Sequence, residues 1–246
     1  MKKLTILLPL IMLALLNACQ TVKLTDSPSN YPALYTAAVK DAMYPETDAI
    51  DKNLIAITSQ NQNLIRKTIN GEEYVLMVTW KTQSFYPDSG IYNTSKYPIW
   101  VTAAPELLNR IGAEKYEDVS TRLKQMLGLP PIYDYKLFIE FWVRPQDMFR
   151  PCPDKEITDT QCNTCFTKSD STDMTYVNWV NETRLSRYYQ CALYDQYPWT
   201  SLGYTYDWSP KNKTHIGLCE FVIGENKNIY VNKIYTTDEY LKNGTK

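Results

Sequence analysis

The segment "NLIRKTINGEEYVLMVTW", residues 63–80, constrains the fold more than any other stretch. Asn70-Gly71 is the strongest short-range signal for a type I′ hairpin turn, whose two central residues both need positive φ. Residues 64–69 and 72–80 are therefore expected as antiparallel strands. In the second, Tyr74, Leu76, Val78 and Trp80 share one face, and Val75 and Met77 lie on the other. A strand apolar on both faces has to be covered on both sides.

Other segments supply elements to pack around it. "YPIWVTAA" predicts a strand at 97–103, leading into a helix that opens at Pro105 and closes at Gly112. "EDVSTRLKQMLGLPP" sets Val119, Leu123, Met126 and Leu127 at helical spacing, with Gly128 and Pro130-Pro131 as the stop. "YKLFIEFWVRP" reads as a strand with Leu137, Ile139, Phe141 and Val143 inward. Phe138, Glu140, Trp142 and Arg144 then occupy its opposite face. A helix is expected over 173–190. "THIGLCEFVIGENKNIYVNKIY" reads as a hairpin turning at Gly224–Lys227, and Thr236 with Glu239 has the pattern of a capping box opening a short last helix. Strand pairs joined by tight turns, with helices inserted, predict an α+β fold built on a mainly antiparallel sheet. The chain shows no internal repeat and no second linker, so one domain over 33–246 is expected.

The N-terminus carries Lys2 and Lys3, then Leu4–Leu16, apolar apart from Thr5 and Pro9. Crossing a bilayer takes about 20 apolar residues, and Pro9 breaks a helix interior. Charge, length and a small-residue ending fit a signal peptide over 1–18. Leu16-Asn17-Ala18-Cys19 resembles the lipobox of bacterial lipoproteins. That resemblance implies that Cys19 is lipidated, palmitate included, and becomes the mature N-terminus. Residues 19–32 are then a lipidated end and polar tether, and the membrane is a partner through the anchor. Gln20, rather than Asp, implies an outer-membrane address in a Gram-negative envelope. Each buried methylene of the acyl chains adds ~0.8 kcal/mol of membrane affinity.

The chain is formally −1, with 26 basic and 27 acidic residues, and loss of Lys2 and Lys3 makes it more acidic. No nucleic-acid partner is expected. Eight glycines leave no GxGxxG or Walker A loop, and His215 is the only histidine. No cofactor is therefore expected, and HExxH or multi-histidine metal chemistry is excluded. A Ser-His or Cys-His nucleophile pair would have to use His215, at the start of a predicted strand.

"FRPCPDKEITDTQCNTC", residues 149–165, crowds three cysteines into a polar loop. On an exported chain disulfides are favoured over zinc-thiolate sites. The expected pairs are Cys152–Cys162, closing the loop, and Cys165–Cys191, tying it to the following helix. Cys219, within "GLCEFVI", is expected as a buried free thiol. The competing use of Cys162 and Cys165 as a redox CxxC needs a preceding strand and a helix start that lowers a thiol pKa.

Aromatic residues crowd "YPWTSLGYTYDW", residues 197–208. Trp199, Tyr204, Tyr206, Asp207 and Trp208 form a candidate ligand site, which Glu140, Trp142 and Arg144 could join. Aromatic faces beside a carboxylate suit a saccharide, although packing at a sheet rim uses the same residues. Glu140 and Asp207 could serve glycoside hydrolysis only at about 5–10 Å separation. The expectation is a membrane-anchored cell-envelope lipoprotein with a non-enzymatic binding or structural role, its partner an envelope protein or glycan. The alternatives are an envelope hydrolase acting on glycan or peptidoglycan and a thiol oxidoreductase using Cys162 and Cys165.

Overall fold

The computed structural model describes residues 24–189 and 196–245, which leaves the expected signal peptide, Cys19 and Cys191 outside the described residues. Its strands are β1 (Arg66–Ile69), β2 (Glu72–Lys81), β3 (Gly90–Asn93), β4 (Ile99–Ala103), β5 (Leu137–Val143), β6 (Met148–Phe149), β7 (Tyr204–Tyr206), β8 (Ile216–Cys219), β9 (Phe221–Ile223) and β10 (Asn228–Thr236). Its helices are α1 (Tyr31–Ala42), α2 (Ala104–Ala113), α3 (Val119–Met126), α4 (Met174–Tyr188) and α5 (Thr237–Asn243). The α+β class and the antiparallel sheet are as expected. No described helix is long and apolar enough to cross a membrane.

The Asn70-Gly71 turn forms as the sequence requires, with φ of 51° and 82° and Ile69 paired to Glu72. β2 then runs through the middle of an eight-stranded sheet of order β3-β10-β5-β2-β4-β9-β6, with β1 paired to β2. Val75, Leu76, Met77 and Val78 are all fully buried. Each such side chain contributes about 1.5–3 kcal/mol relative to leaving it in water.

The sheet is curled, and two short links show why. β9 and β10 lie four positions apart in the sheet order, yet only five residue steps join Ile223 to Asn228. β5 and β6 are also four positions apart and joined by five steps, from Val143 to Met148. Five extended residues reach at most about 18 Å, whereas four spacings of a flat sheet span about 19 Å. The sheet has to bend for its ends to approach. One cluster, including Met77, Val101, Phe141, Phe221 and Val231, fills the concave side. A second, including Leu76, Leu107, Leu123, Phe138 and Tyr240, lies under α2, α3 and α5 on the convex side. Thr236 and Glu239 form the anticipated capping box of α5.

Two elements depart from expectation. The segment 216–236 is no hairpin: β9 pairs with β4 and β6, and β10 with β5 and β3. The turn between them is held instead by the loop after β3, through Thr94 Oγ1 to the Gly224 carbonyl at 2.7 Å and Asn226 N to the Ser95 carbonyl at 2.6 Å. Of the stretch expected as a tether, 19–32, the described residues 24–32 are not free chain, because a 3₁₀ turn at Pro28–Asn30 leads directly into α1, with Pro32 in its first turn. Asp26 accepts a hydrogen bond from Gln125 Nε2 at 2.7 Å, so this stretch packs on the domain.

Cys152 and Cys162 are joined, and both are fully buried. The loop they close wraps the fully buried Arg150, whose guanidinium donates to Asp159 and to the carbonyls of Ile55, Asp159 and Gln161. Gly203 sits against it at φ +80°, where an added Cβ would lie 2.7 Å from Arg150 Cδ and 2.8 Å from Cys162 Sγ. Cys165, expected to pair with Cys191, is an exposed free thiol. Cys162 is thus committed to Cys152 and not to a CxxC pair. Cys219 is a buried free thiol, as expected.

Candidate functional site: an aromatic cleft

A cleft of about 420 Å³ opens between the ends of β2 and β4, the residues after α3, and the 197–206 segment. It lies on the helix-covered side of the sheet, where Val78 and Trp80 of β2 and Leu107 of α2 line it. Trp80 forms one wall, stacking on Tyr135 at 5.0 Å and on Phe138 at 5.4 Å, with its indole N–H donated to Thr237. Trp100 and Trp199 form another, their rings meeting edge to face at 6.0 Å. Tyr133, Tyr197 and Tyr206 complete the aromatic lining. Such a box pairs apolar ring faces with polar phenol and indole tips.

Three charged side chains line this space: Lys81, Arg187 and Glu220. Arg187, in the last turn of α4, lies over Trp100 at 5.3 Å and over Tyr197 at 4.8 Å. Cation–π contacts of this kind keep a guanidinium flat while leaving its N–H edge available. Lys81 closes β2 opposite Leu137, and burial, then the nearby Arg187, draws its ammonium below the ordinary lysine range.

Glu220 owes its place to a break in the strand. The chain crosses there from the small β7–β8 sheet to the large one, with Cys219 the last residue of β8 and Phe221 the first of β9. Its backbone N–H is donated to the Gly203 carbonyl at 2.9 Å. The side chain is set into the cleft, where burial pushes its carboxyl up to about 8 against the opposing pull of Arg187. Desolvation disfavours the charged form of a carboxyl in this way. Behind the wall, Glu106 of α2 is employed differently. It accepts the Cys219 N–H at 2.9 Å and the Thr102 hydroxyl at 3.1 Å, and burial raises it to about 7 despite those bonds.

Of the residues anticipated as a ligand site, the structure brings Trp199 and Tyr206 to the cleft and places the others in structural roles. Asp207 is fully buried and accepts from Arg122 at 2.9 and 2.7 Å, from Ser209 N and from Asn212. Glu140 is also fully buried, its oxygens taken by Asn232, Tyr235 and Thr245. Each carboxylate is therefore enclosed by its own protein partners, which removes the room a sugar and a water would need between them. Trp142 donates its indole N–H to Asn232, Arg144 pairs with Asp147 and Glu72, and Tyr204 donates to the Ala49 carbonyl. Trp208 is 2% exposed, donates to the Leu129 carbonyl and packs on Tyr31 and Tyr35. His215 stacks on Tyr206 at 4.8 Å, with Nδ1 2.9 Å from the Asp207 carbonyl oxygen.

Sequence reasoning missed Lys81, Trp100, Arg187 and Glu220. Glu220 alone left a signal, as a single carboxylate inside the apolar run "GLCEFVI". Among the described residues no group of three or more His, Cys, Asp or Glu side chains could hold a metal ion. In comparisons with known proteins, no family model, curated protein or solved structure matches this chain.

Proposed function

We propose that this chain is a bacterial cell-envelope lipoprotein, anchored through lipid on Cys19, whose α+β domain is a binding module rather than a catalyst. The lipobox-like Leu16-Asn17-Ala18-Cys19 supports the anchor, and Gln20 supports an outer-membrane address. The observation that carries the binding role is the cleft, where three tryptophans and four tyrosines surround charged side chains. Its volume falls within the roughly 300–1,000 Å³ of small-molecule sites. The hydrolase alternative loses its acid pair, because Glu140 and Asp207 are enclosed in separate hydrogen-bond networks. The oxidoreductase alternative loses its disulfide, because Cys162 is bonded to Cys152.

Two measurements test this reading. Cells fed labelled palmitate should label the wild type and not Cys19→Ser; equal labelling refutes the anchor. Titration of the lipidated protein with envelope glycan fragments should change its tryptophan fluorescence, and Trp100→Ala should abolish the change. A response that survives Trp100→Ala places binding elsewhere.

A further inference from the structure

We propose that the cleft binds an acidic saccharide, its ring stacked on the aromatic walls and its carboxylate held between Lys81 and Arg187. The proposal rests on the reading of the cleft as the binding site and names the ligand class.

Charge comes first. Arg66, Arg110, Arg122, Arg144 and Arg150 each pair with a carboxylate within 4.0 Å. Neither Lys81 nor Arg187 does among the described residues, although both line a partly enclosed space. Cations withdrawn from water without a counter-charge are unfavourable. Among the described residues Glu220 is the only acidic side chain in the lining, and burial holds its carboxyl up to about 8, so it supplies little balancing charge at neutral pH. An incoming carboxylate compensates both cations at once. Arg187, which lies over the rings of Trp100 and Tyr197, carries the guanidinium fork that takes a carboxylate through two parallel bonds.

The remainder of the lining selects the body of the ligand. A purely apolar acid would cover the rings but leave the Glu220 carboxyl and the Tyr133 hydroxyl without partners, and each buried orphan is costly. A neutral sugar would satisfy those groups and leave the two cations unanswered. A polyhydroxylated ring with one carboxylate answers every part of the lining. Protonated Glu220 donates to a ring hydroxyl, and the half-buried rings of Trp100, Tyr133 and Tyr197 cover apolar C–H faces.

The test is calorimetric and NMR titration of the full lipidated chain in detergent with D-glucuronate, digalacturonate and N-acetylneuraminate, against glucose and benzoate. At least one acidic sugar should bind and move the indole signals of Trp100 and Trp199. Lys81→Gln should weaken that binding about tenfold or more, from loss of a charged hydrogen bond, and Lys81→Arg should restore most of it. Arg187→Gln should act in the same direction. Glucose binding as tightly as the acid, or Lys81→Gln without effect, overturns the acidic inference and leaves the cleft as a binding site. Benzoate binding as tightly overturns the saccharide part. No sugar moving either indole overturns both this inference and the reading beneath it.

Discussion

Arg122 grips Asp207 through two parallel hydrogen bonds, 2.9 and 2.7 Å long, and the carboxylate at their end is wholly removed from solvent. The same guanidinium also reaches Glu114 at the end of α2, so Arg122 ties α3 both to α2 and to the segment after β7. Removing one partner strands a buried charge, at a cost of about 3–5 kcal/mol. Asp207→Asn and Arg122→Gln should each lower the urea midpoint strongly, and the double variant should lose clearly less than the sum of the singles. Additive losses in that double-mutant cycle would show that the pair does not act as a unit.

Glu106 makes a pH prediction. Its carboxyl is raised to about 7 in the folded chain from an ordinary value near 4.5. Burial is the dominant cause, opposed by bonds from Cys219 and Thr102 and by Arg110. Between those values the folded state binds a proton that the unfolded state has released. Stability therefore falls as pH rises through this window, with a slope approaching about 1.4 kcal/mol per pH unit. Unfolding curves of the wild type and Glu106→Gln should diverge from pH 4.5 to 7 and run parallel above it. A constant difference across that range would refute the assignment.

The cysteines separate by accessibility. In the folded protein a maleimide should tag Cys165 within minutes, and should reach Cys219 only after denaturation, given their exposed and buried positions. Intact Cys152–Cys162 should survive non-reducing mass spectrometry, and replacing both with Ala should destabilise the fold by about 2–4 kcal/mol. Protection of Cys165 from the tag would mean that it is bridged.

Affinity of the cleft for an acidic sugar should fall as pH rises through about 8, because Glu220 then ionises beside the ligand carboxylate. Arg187 acts on Glu220 directly and Lys81 shares the lining with both, and the Lys81 ammonium, drawn low by burial, reinforces the same trend. Burial holds the phenol of Tyr135 above its usual range, so it stays protonated through this window. Glu220→Gln should flatten the part of the profile centred near 8. An unchanged profile would remove Glu220 from the account.

What the sequence made legible was local chemistry. Asn70-Gly71 specifies its own turn, Pro105 and Gly112 fall in the first and last turns of α2, Thr236 and Glu239 cap α5, and Cys152 lies near enough to Cys162 to close a small loop. The errors came from pairing at a distance. Ile223 and Asn228 flank a turn that looks like a hairpin, but the sheet's curvature gives each strand other neighbours. The residues of the cleft come from β2, β4, α4 and the β8–β9 step, and nothing in their local surroundings shows that they meet. Glu140 and Asp207 looked functional because carboxylates beside aromatic residues suit both sugar recognition and buried ion networks. Only their burial separates the two uses.

The two five-residue links across the curled sheet carry one more consequence. They act as hoops on a barrel, since each ties a strand near one margin to a strand well across the sheet. A strand released from the ladder, β6 or β10, stays within a five-residue reach of β5 or β9 and so remains close to its place in the sheet. The cleft lies against the inner staves, β2 and β4, which no hoop leaves unguarded. Its floor is therefore built on strands that have a partner on both sides.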